Sequence, residues 1–567
     1  MVQRSRLGRR TTGDSVTGLL LLAVLLALLA IARPASAQVD RSVPGADYDL
    51  AMTAFNTGEF ASAAEGFQSA ARAGIRTPDG RWIDSICYYA MTGECLYQQG
   101  NLPKALEQFE AALNLYIANS NWMLSISMPN TVSAASTVPQ TRINWGKTSR
   151  KTTLGDIPDR MLAFRGRMSN TGVLRTGGVV RPPEYFSVRA QEVVRCTALA
   201  LRRRRELLGP VCIHSPLTAR LSTALAAKAT LPNHWSQVWV NLQLGLGYAA
   251  AGKNPQAVAT LKNSLLASGR YEHALTSTAL LELGKLAFLE QSYRTAATYF
   301  LEATFSAAMF DRYDVMEEAF RWGLVTHLVS GKKTPYPPLS NAAGWAHQRG
   351  SPMLEASLNL LVAENNAALG QAAPAAAALG QAQRTMARRE MAASAQLGAR
   401  LYFQTAQVKY LQGDIAAGDA ALTTAIKTKR PGSLRLFQIA VADKWFAAGA
   451  LSPRAASALF DETLREPTSA DWLIDTLDTF AVSATPNMAA MEHWFLHTLI
   501  ERKDVDRALA IADRIRRKRF YASLPYGGRL LALRWILGAP RSALSDQAVL
   551  QQQDLLVRYP GYRGLIG

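Results

Sequence analysis

Four cysteines in 567 residues are too few for a disulfide scaffold. Cys87 and Cys95 lie eight residues apart on one predicted helix, about 12 Å along its axis, which is too far for a bond. Cys196 and Cys212 flank a predicted helix end and meet only if the chain folds back. Alternating apolar and polar residues are scarce, so almost no sheet is expected. After residue 32 no apolar run is long enough to cross a membrane. Catalytic signatures are missing too. There is no Walker-type phosphate loop and no Gly-x-Ser-x-Gly elbow, and no cysteine sits in a known nucleophile motif. His493 and His497 have the spacing of a two-histidine metal face, but residue 494 is Trp where that motif needs Glu. Cys212-Ile213-His214 has no companion pair of ligands. These absences argue for a chain that is not an enzyme and takes no metal or cofactor.

Acidic residues are the minority charge, 43 against 62 Lys and Arg, for a formal net of +19. Such a surface favours acidic partners or is a solvated basic exterior. Part of the excess lies at the N-terminus. Residues 1–17 are basic and polar, Gly18 to Ala32 is an unbroken apolar run, and Ala35-Ser36-Ala37 follows Pro34. Basic head, apolar middle and small-x-small end are the three parts of a secretory signal. Residues 1–37 are therefore predicted to be a signal peptide, cleaved to leave Gln38 first. An uncleaved N-terminal anchor is the alternative. Cleavage brings the formal charge near +15.

What the sequence does contain is one spacing used six times. Gly93, Gly100, Ala105, Phe109 and Ala112 are separated by 7, 5, 4 and 3 residues. The same steps join Ala51, Gly58, Ala63, Phe67 and Ala70, then Gly245, Gly252, Ala257, Leu261 and Ser264. They recur at Gly284, Gln291, Ala296, Phe300 and Ala303, at Ala363, Gly370, Ala375, Leu379 and Ala382, and at Ala406, Gly413, Gly418, Leu422 and Ala425. The second position ends a helix in a left-handed turn, which suits Gly. The third is where the returning helix crosses the first, so it must be small. The first lets its helix approach its neighbour closely, and the fourth fills the groove between units. Asn254-Pro255 and Ser452-Pro453 offer a cap followed by Pro at the start of a helix.

This pattern resembles the tetratricopeptide repeat, a helix-turn-helix unit. Leu244-Gly245, Tyr248 and Ala257 sit at the family's positions in one unit, and Leu283-Gly284, Ala296 and Phe300 in another. The resemblance implies an all-α, right-handed solenoid of antiparallel helix pairs. The copies are not strictly tandem, and the family's early Trp is not in its usual place. Repeats are expected over 44–123, 185–330 and 351–430, with degenerate helical repeats over 431–567. Two interruptions divide them. Residues 124–184 are rich in Ser, Thr, Gly, Pro and Arg and read as a long basic loop, either functional or disordered. Residues 331–350 hold Lys332-Lys333-Thr334-Pro335-Tyr336-Pro337-Pro338, a proline density that predicts a non-helical linker between two lobes.

Two basic runs remain. Arg202–Arg205 precede Gly209-Pro210 and fit the negative end of a helix dipole. Arg514, Arg516, Arg517, Lys518 and Arg519 precede Phe520 and Tyr521, a pattern open to single-stranded nucleic acid or to a solvated helix end. Export argues against nucleic acid. The resemblance implies that a protein or peptide partner docks on the concave face formed by the first helix of each pair. The positions that would line it are Tyr48, Met52 and Phe55, then Glu94 and Tyr97, then Leu281, Lys285 and Phe288, then Phe403, Gln407 and Tyr410. Trp239, Leu242 and Leu246 occupy the equivalent places in the third copy. The Lys/Asn/Arg carboxylate clamp of some family members is not matched, so an apolar groove is expected, with core packing as the competing reading. Two alternatives to a protein-binding scaffold stand beside it. One is an envelope assembly factor that meets an anionic membrane surface or acidic polymer through the basic loop. The other is the regulatory helical part of an enzyme system whose catalytic domain is elsewhere.

Overall fold

A computed structural model of the protein shows why the second position of the spacing favours glycine. Gly58, Gly100, Gly252, Gly370 and Gly413 all end their helices at φ between +72° and +83°, and Gln291 does so at +58°. The structure describes residues 42–77, 80–136, 143–165, 184–387, 390–465, 467–484, 487–522 and 546–558, with isolated positions between the last two segments. Residues 1–42 and 43–567 separate into two units. Of the first only Ser42 is described, so the architecture is that of the second. The predicted signal segment therefore lies outside the described residues, as do residues 523–536 of the degenerate repeats expected over 431–567.

The second unit is an all-α array of helix hairpins with little sheet. The first two hairpins are α1–α2 (Ala46–Asn56, Phe60–Ala70) and α3–α4 (Ser85–Gln99, Leu102–Ala118). After an insertion come α5 (Ala190–Leu208), α6 (Pro216–Ala226), and the hairpin α7–α8 (Gln237–Ala250, Asn254–Lys262). Then follow α9 (Thr276–Leu289), α10 (Tyr293–Met309) and α11 (Tyr313–Val329). Next are α12–α13 (Pro338–Gln348, Pro352–Ala368), α14 (Ala372–Met386), and α15–α16 (Leu397–Leu411, Ile415–Lys429). The later helices are α17 (Leu434–Ala447), α18 (Pro453–Thr463), α19 (Ser469–Ile474), α20 (Thr476–Ala484), α21 (Met488–Leu496), α22 (Val505–Ala522) and α23 (Asp546–Arg558).

The other positions of the spacing are core. Ala63, Ala105, Ala257, Ala296 and Ala375 are fully buried where helices cross, and Phe67, Phe109, Leu261 and Phe300 are fully buried four residues on. The geometry also refines their roles. A Cβ on Gly93 would stand 2.9 Å from the Phe109 ring, and one on Gly284 would stand 2.5 Å from the Phe300 ring. The first small residue thus makes room for the large residue of its own hairpin, rather than for the neighbouring unit.

Two expectations are corrected. The Pro-rich stretch is not a linker throughout, because Pro338–Gln348 is a helix. Proline at the start of a helix loses no hydrogen bond there, since those N–H groups have no partner anyway. Leu339, Ala342, Trp345 and Ala346 then bury against α13, completing another hairpin that turns at Gly350. The basic insertion is not a featureless loop where it is described. Strands β1 (Ile126–Ser127), β2 (Ser133–Ala134), β3 (Thr153–Asp156), β4 (Arg160–Arg165), β5 (Glu184–Arg189) and β6 (Tyr271–Glu272) build short ladders. β4 pairs antiparallel with β5 and with β1, while β3 pairs antiparallel with β2 and parallel with β6. Trp145 is buried against Phe305, Phe320 and Trp345 and donates to Thr304 Oγ1 at 3.1 Å. Arg150 is held by Glu302 and Glu272 at 3.1 and 3.0 Å. Long-range aromatic and ionic anchors therefore order a segment whose local composition does not. Residues 137–142 and 166–183 of the insertion lie outside the described residues.

The array closes on itself. α17 packs on both α4 and α5, and α13 touches α1. The Ala61 N–H donates to Glu390 Oε2 at 3.1 Å, and the Gln438 amide donates to the Glu206 carbonyl at 2.9 Å. At the seam a Cβ on Gly100 would lie 2.5 Å from Ala395 Cβ and 3.1 Å from the Gly432 nitrogen. Backbone thus meets backbone across more than 300 residues, and the inner face is enclosed.

Candidate functional site

α5 fills this enclosed interior. Sixteen of its 19 residues are buried, so no face of the helix is left to solvent. It is also the helix with four consecutive arginines, and four consecutive residues point in every direction around a helix. Arg202, Arg203 and Arg204 are at most 9% exposed. The helix dipole that the sequence suggested for this run does not account for its burial. Dipole attraction alone is worth under about 2 kcal/mol, far less than the cost of burying guanidinium groups without partners.

Each arginine finds carboxylates on the surrounding hairpins. Arg202 donates from Nε to Glu282 at 3.1 Å and from Nη2 to Glu318 at 2.6 Å. Arg203 makes a two-pronged contact with Glu94, at 2.7 and 2.8 Å, and a third bond to Glu206 at 2.7 Å. Its guanidinium also lies 4.4 Å over the Tyr97 ring. Arg204 reaches Glu110 at 2.9 Å and Thr218 Oγ1 at 2.8 Å. Arg205 bonds Glu282 at 3.0 Å. Lys285 closes the network on Glu282 and Glu318, at 2.9 and 2.5 Å. Burial alone would raise the Glu282 carboxyl, but Lys285, Arg202 and Arg205 pull it down to about 2. Glu318 responds in the same way, with burial outweighed by Lys285, Arg202 and Arg203, and is held well below the usual carboxylate range.

A second buried group lies toward the start of α5. Arg195 binds Glu192 through both Nε and Nη2, at 2.8 and 2.6 Å, and the Tyr48 hydroxyl donates to the same carboxylate at 2.5 Å. Cys196 sits 3.6 Å from the Tyr48 hydroxyl, whereas Cys212 contacts Arg204 and Thr218. The fold-back that would bring Cys196 to Cys212 does not occur. Twelve residues of helix separate Cys196 from the end of α5, about 18 Å. All four cysteines are buried and free.

Beside the network lies a cavity of about 130 Å³. It is bounded by α3, α5, α11, α13, α15, α17 and the α19–α20 turn, and its wall combines Tyr97 and Phe403 with Arg203, Arg321, Glu364, Arg400 and Gln404. This is where the concave face of an open array would be.

The positions expected to line an apolar groove are thus dispersed. Tyr97 and Phe403 meet in the cavity wall. Glu94 and Lys285 belong to the arginine network. Tyr48 is tied to Glu192, and Phe55 stacks edge-on against Phe60 in the first hairpin, with Met52 half-buried on the same core. Leu281 is fully buried, and Phe288 packs between Tyr293 and Trp322. Gln407 and Tyr410 are half-buried, the Tyr410 hydroxyl donating to Asp419 at 2.7 Å. Trp239, Leu242 and Leu246 are core. Closure of the array and insertion of α5 bury most of these positions, while Met52, Lys285, Gln407 and Tyr410 stay half-buried. His493 and His497 bind different carboxylates, Asp443 at 2.7 Å and Glu501 at 2.8 Å, rather than one shared point. Among the described residues no group of three or more metal-ligating side chains assembles, and no helix is long and apolar enough to cross a membrane.

The network was missed because the arginines were read on their own helix. Its sequence signal is the glutamates. Glu94 and Glu282 stand within apolar surroundings on first helices, in Met91-Thr92-Gly93-Glu94-Cys95-Leu96 and Leu280-Leu281-Glu282-Leu283-Gly284. Carboxylates in the tightly packed part of a repeat require buried cations elsewhere in the chain.

Residues 42–118, which hold the first two hairpins, match the family model of the tetratricopeptide repeat. No curated protein matches the chain. Among solved structures, the chain is similar to that of Naa15/Naa10 bound to HypK-THB, at 12% identity over 90% of this chain and 87% of that one. The TM-score is 0.13, too low for the two chains to superpose as one fold.

Proposed function

We propose that this chain is an exported protein-binding scaffold that works by packing rather than by catalysis. An array of helix hairpins, the first two of the tetratricopeptide kind, supports that reading, because such arrays present rigid helical faces to partners. The face it offers is at the end of the array. On the α21–α22 hairpin, Leu496, Ile500, Val505 and Leu509 are between 47% and 70% exposed, unusual for large apolar side chains so close together. Val505, Leu509 and Arg516 share one stripe of α22, so apolar surface passes into exposed Arg516 and Arg517. With a formal charge near +15 after signal removal, this stripe suits an acidic amphipathic helix of a partner protein, apolar on one side. In the basic insertion Arg150 is occupied by Glu272 and Glu302, whereas Lys147 and Lys151 are exposed.

The test is a photo-crosslinking residue at position 509 of the full chain, expressed in its own cells. A single saturable protein adduct, lost when Ile500→Asp and Val505→Asp are introduced, supports the reading. Adducts to lipid alone would favour an anionic membrane surface instead, and adducts unchanged by the aspartates would overturn the stripe as the docking face.

A further inference from the structure

The cavity beside α5 has wall groups whose hydrogen-bonding capacity the chain does not use. Gln404 is 2% exposed, lines the cavity, and has no hydrogen-bond partner for Oε1. An unmet buried amide oxygen costs roughly 1–3 kcal/mol, so its retention needs a reason. Arg400 spends Nη1 on Glu317 at 2.9 Å and Ser357 at 3.3 Å, while Nη2 is buried with no partner. Across the same cavity, Glu364 makes no ion pair among the described residues, and desolvation raises its carboxyl above the ordinary range despite Arg400 nearby. Of the remaining charges of the wall, Arg203 pairs with Glu206, Glu317 with Arg400 and Lys429 with Asp475 at 3.3 Å, while Arg321 reaches Glu318 at 4.0 Å.

The unused groups are of two kinds. Arg400 Nη2 needs an acceptor and favours an anionic one. Gln404 Oε1 and Glu364 need donors, and Glu364 favours a cationic one. A simple anion would satisfy the first and repel the second, and a simple cation the reverse. Water could satisfy each group singly, but one water needs only about 10–15 Å³ of such space, and the cavity offers about 130 Å³. Tyr97 and Phe403 give the wall an apolar side. We propose that this cavity binds a small zwitterion of the α-amino acid class, its carboxylate on Arg400 and its ammonium on Gln404 and Glu364, with any apolar side chain toward Phe403. The site lies where α11, α13, α15 and the α19–α20 turn converge, so an occupant would bridge those elements.

Titration calorimetry and thermal unfolding of the full mature chain, with a panel of L-amino acids, test this. The controls are propionate, which has only the carboxylate, and propylamine, which has only the amine. Saturable binding by at least one amino acid, with a rising unfolding temperature and neither control binding, is the expected result. Gln404→Leu should weaken that binding at least about tenfold while leaving the free protein as stable or more so, since it removes an unmet acceptor. Glu364→Gln should weaken it while restoring some affinity for propionate. No saturable response to any amino acid up to about 10 mM overturns the proposal. So does equal binding of propionate, or affinity unchanged in both variants.

Discussion

Replacing Glu282 by Gln isolates the buried arginine network. The carboxylate is 1% exposed and receives Arg202 at 3.1 Å, Arg205 at 3.0 Å and Lys285 at 2.9 Å. Glutamine keeps the size and one acceptor oxygen but turns an NH₂ donor toward cations that are donors themselves. Breaking a buried pair from one side costs about 3–5 kcal/mol, because the partner charge stays desolvated. Glu318 still holds Arg202 and Lys285, at 2.6 and 2.5 Å, so the lower end applies, about 3 kcal/mol. A hairpin array of this length need not unfold in one step, so the readout should be local. Amide exchange across α5 and α9 should lose roughly two decades of protection in Glu282→Gln, with α21 and α22 unchanged. High salt should not reproduce the effect, since buried pairs are little screened. Adding Arg202→Met should recover part of the loss, a coupling that only a direct interaction produces. A loss of less than about tenfold over α5, or a loss spread evenly along the chain, would refute the view that these charges organise the interior.

The other predictions concern packing, pH and processing. Gly100→Ala places a Cβ 2.5 Å from Ala395 Cβ at φ +83°, so it should cost about 1–3 kcal/mol and open the ring, seen as a larger radius of gyration by small-angle scattering. Ala105→Trp should destabilise by more than about 1 kcal/mol through overpacking at the α3–α4 crossing, measured by urea denaturation; a neutral effect would misplace that crossing. Burial pushes the Asp84 carboxyl up to about 7 although it accepts the Ile75 N–H at 3.1 Å. The folded state thus holds a proton that the unfolded chain releases near pH 4, and this contribution to stability fades as pH rises from about 4 to 7. Asp84→Asn should flatten that slope and be the more stable form at pH 8. Glu282 and Glu318 act in the opposite sense: their depressed values contribute stability above about pH 4 that is lost as pH falls toward 2. Mass spectrometry of the exported protein should find Gln38 first, and an intact Met1 would favour the anchored form.

How much of this was legible in the sequence follows from the range of each interaction. The spacing through Gly100, Ala105 and Phe109 is local, with turn, crossing and plug inside 20 residues, so one sequence reveals it. Asp311, Gly350 and Gly449 also turn at positive φ, but their hairpins carry Met316, Glu355 and Arg454 at the position the spacing reserves for a small residue. Those turns are the same backbone event with different packing, and a ruler built on small residues passes over them. The insertion is ordered by contacts such as Trp145 to Thr304 and Arg150 to Glu302, which span more than 150 residues and leave no local period.

The arginines show the limit most clearly, because their partners lie on other hairpins. A tetratricopeptide array left open would expose the first helices of its hairpins, and Glu94, Tyr97, Lys285 and Phe403 would be surface. Here the chain supplies its own occupant. α5 fills the interior, and it carries the cations that neutralise Glu94, Glu282 and Glu318 on the surrounding hairpins. Seen from the hairpins, the network is a binding interface satisfied in cis. Two consequences follow. Buried ion pairs contribute little net stability against an apolar core, so their value here is register: α5 can settle at only one height, where all four arginines meet carboxylates. And because α5 occupies the inner face, the exposed apolar side chains lie elsewhere, with Leu496, Ile500, Val505 and Leu509 together on α21–α22.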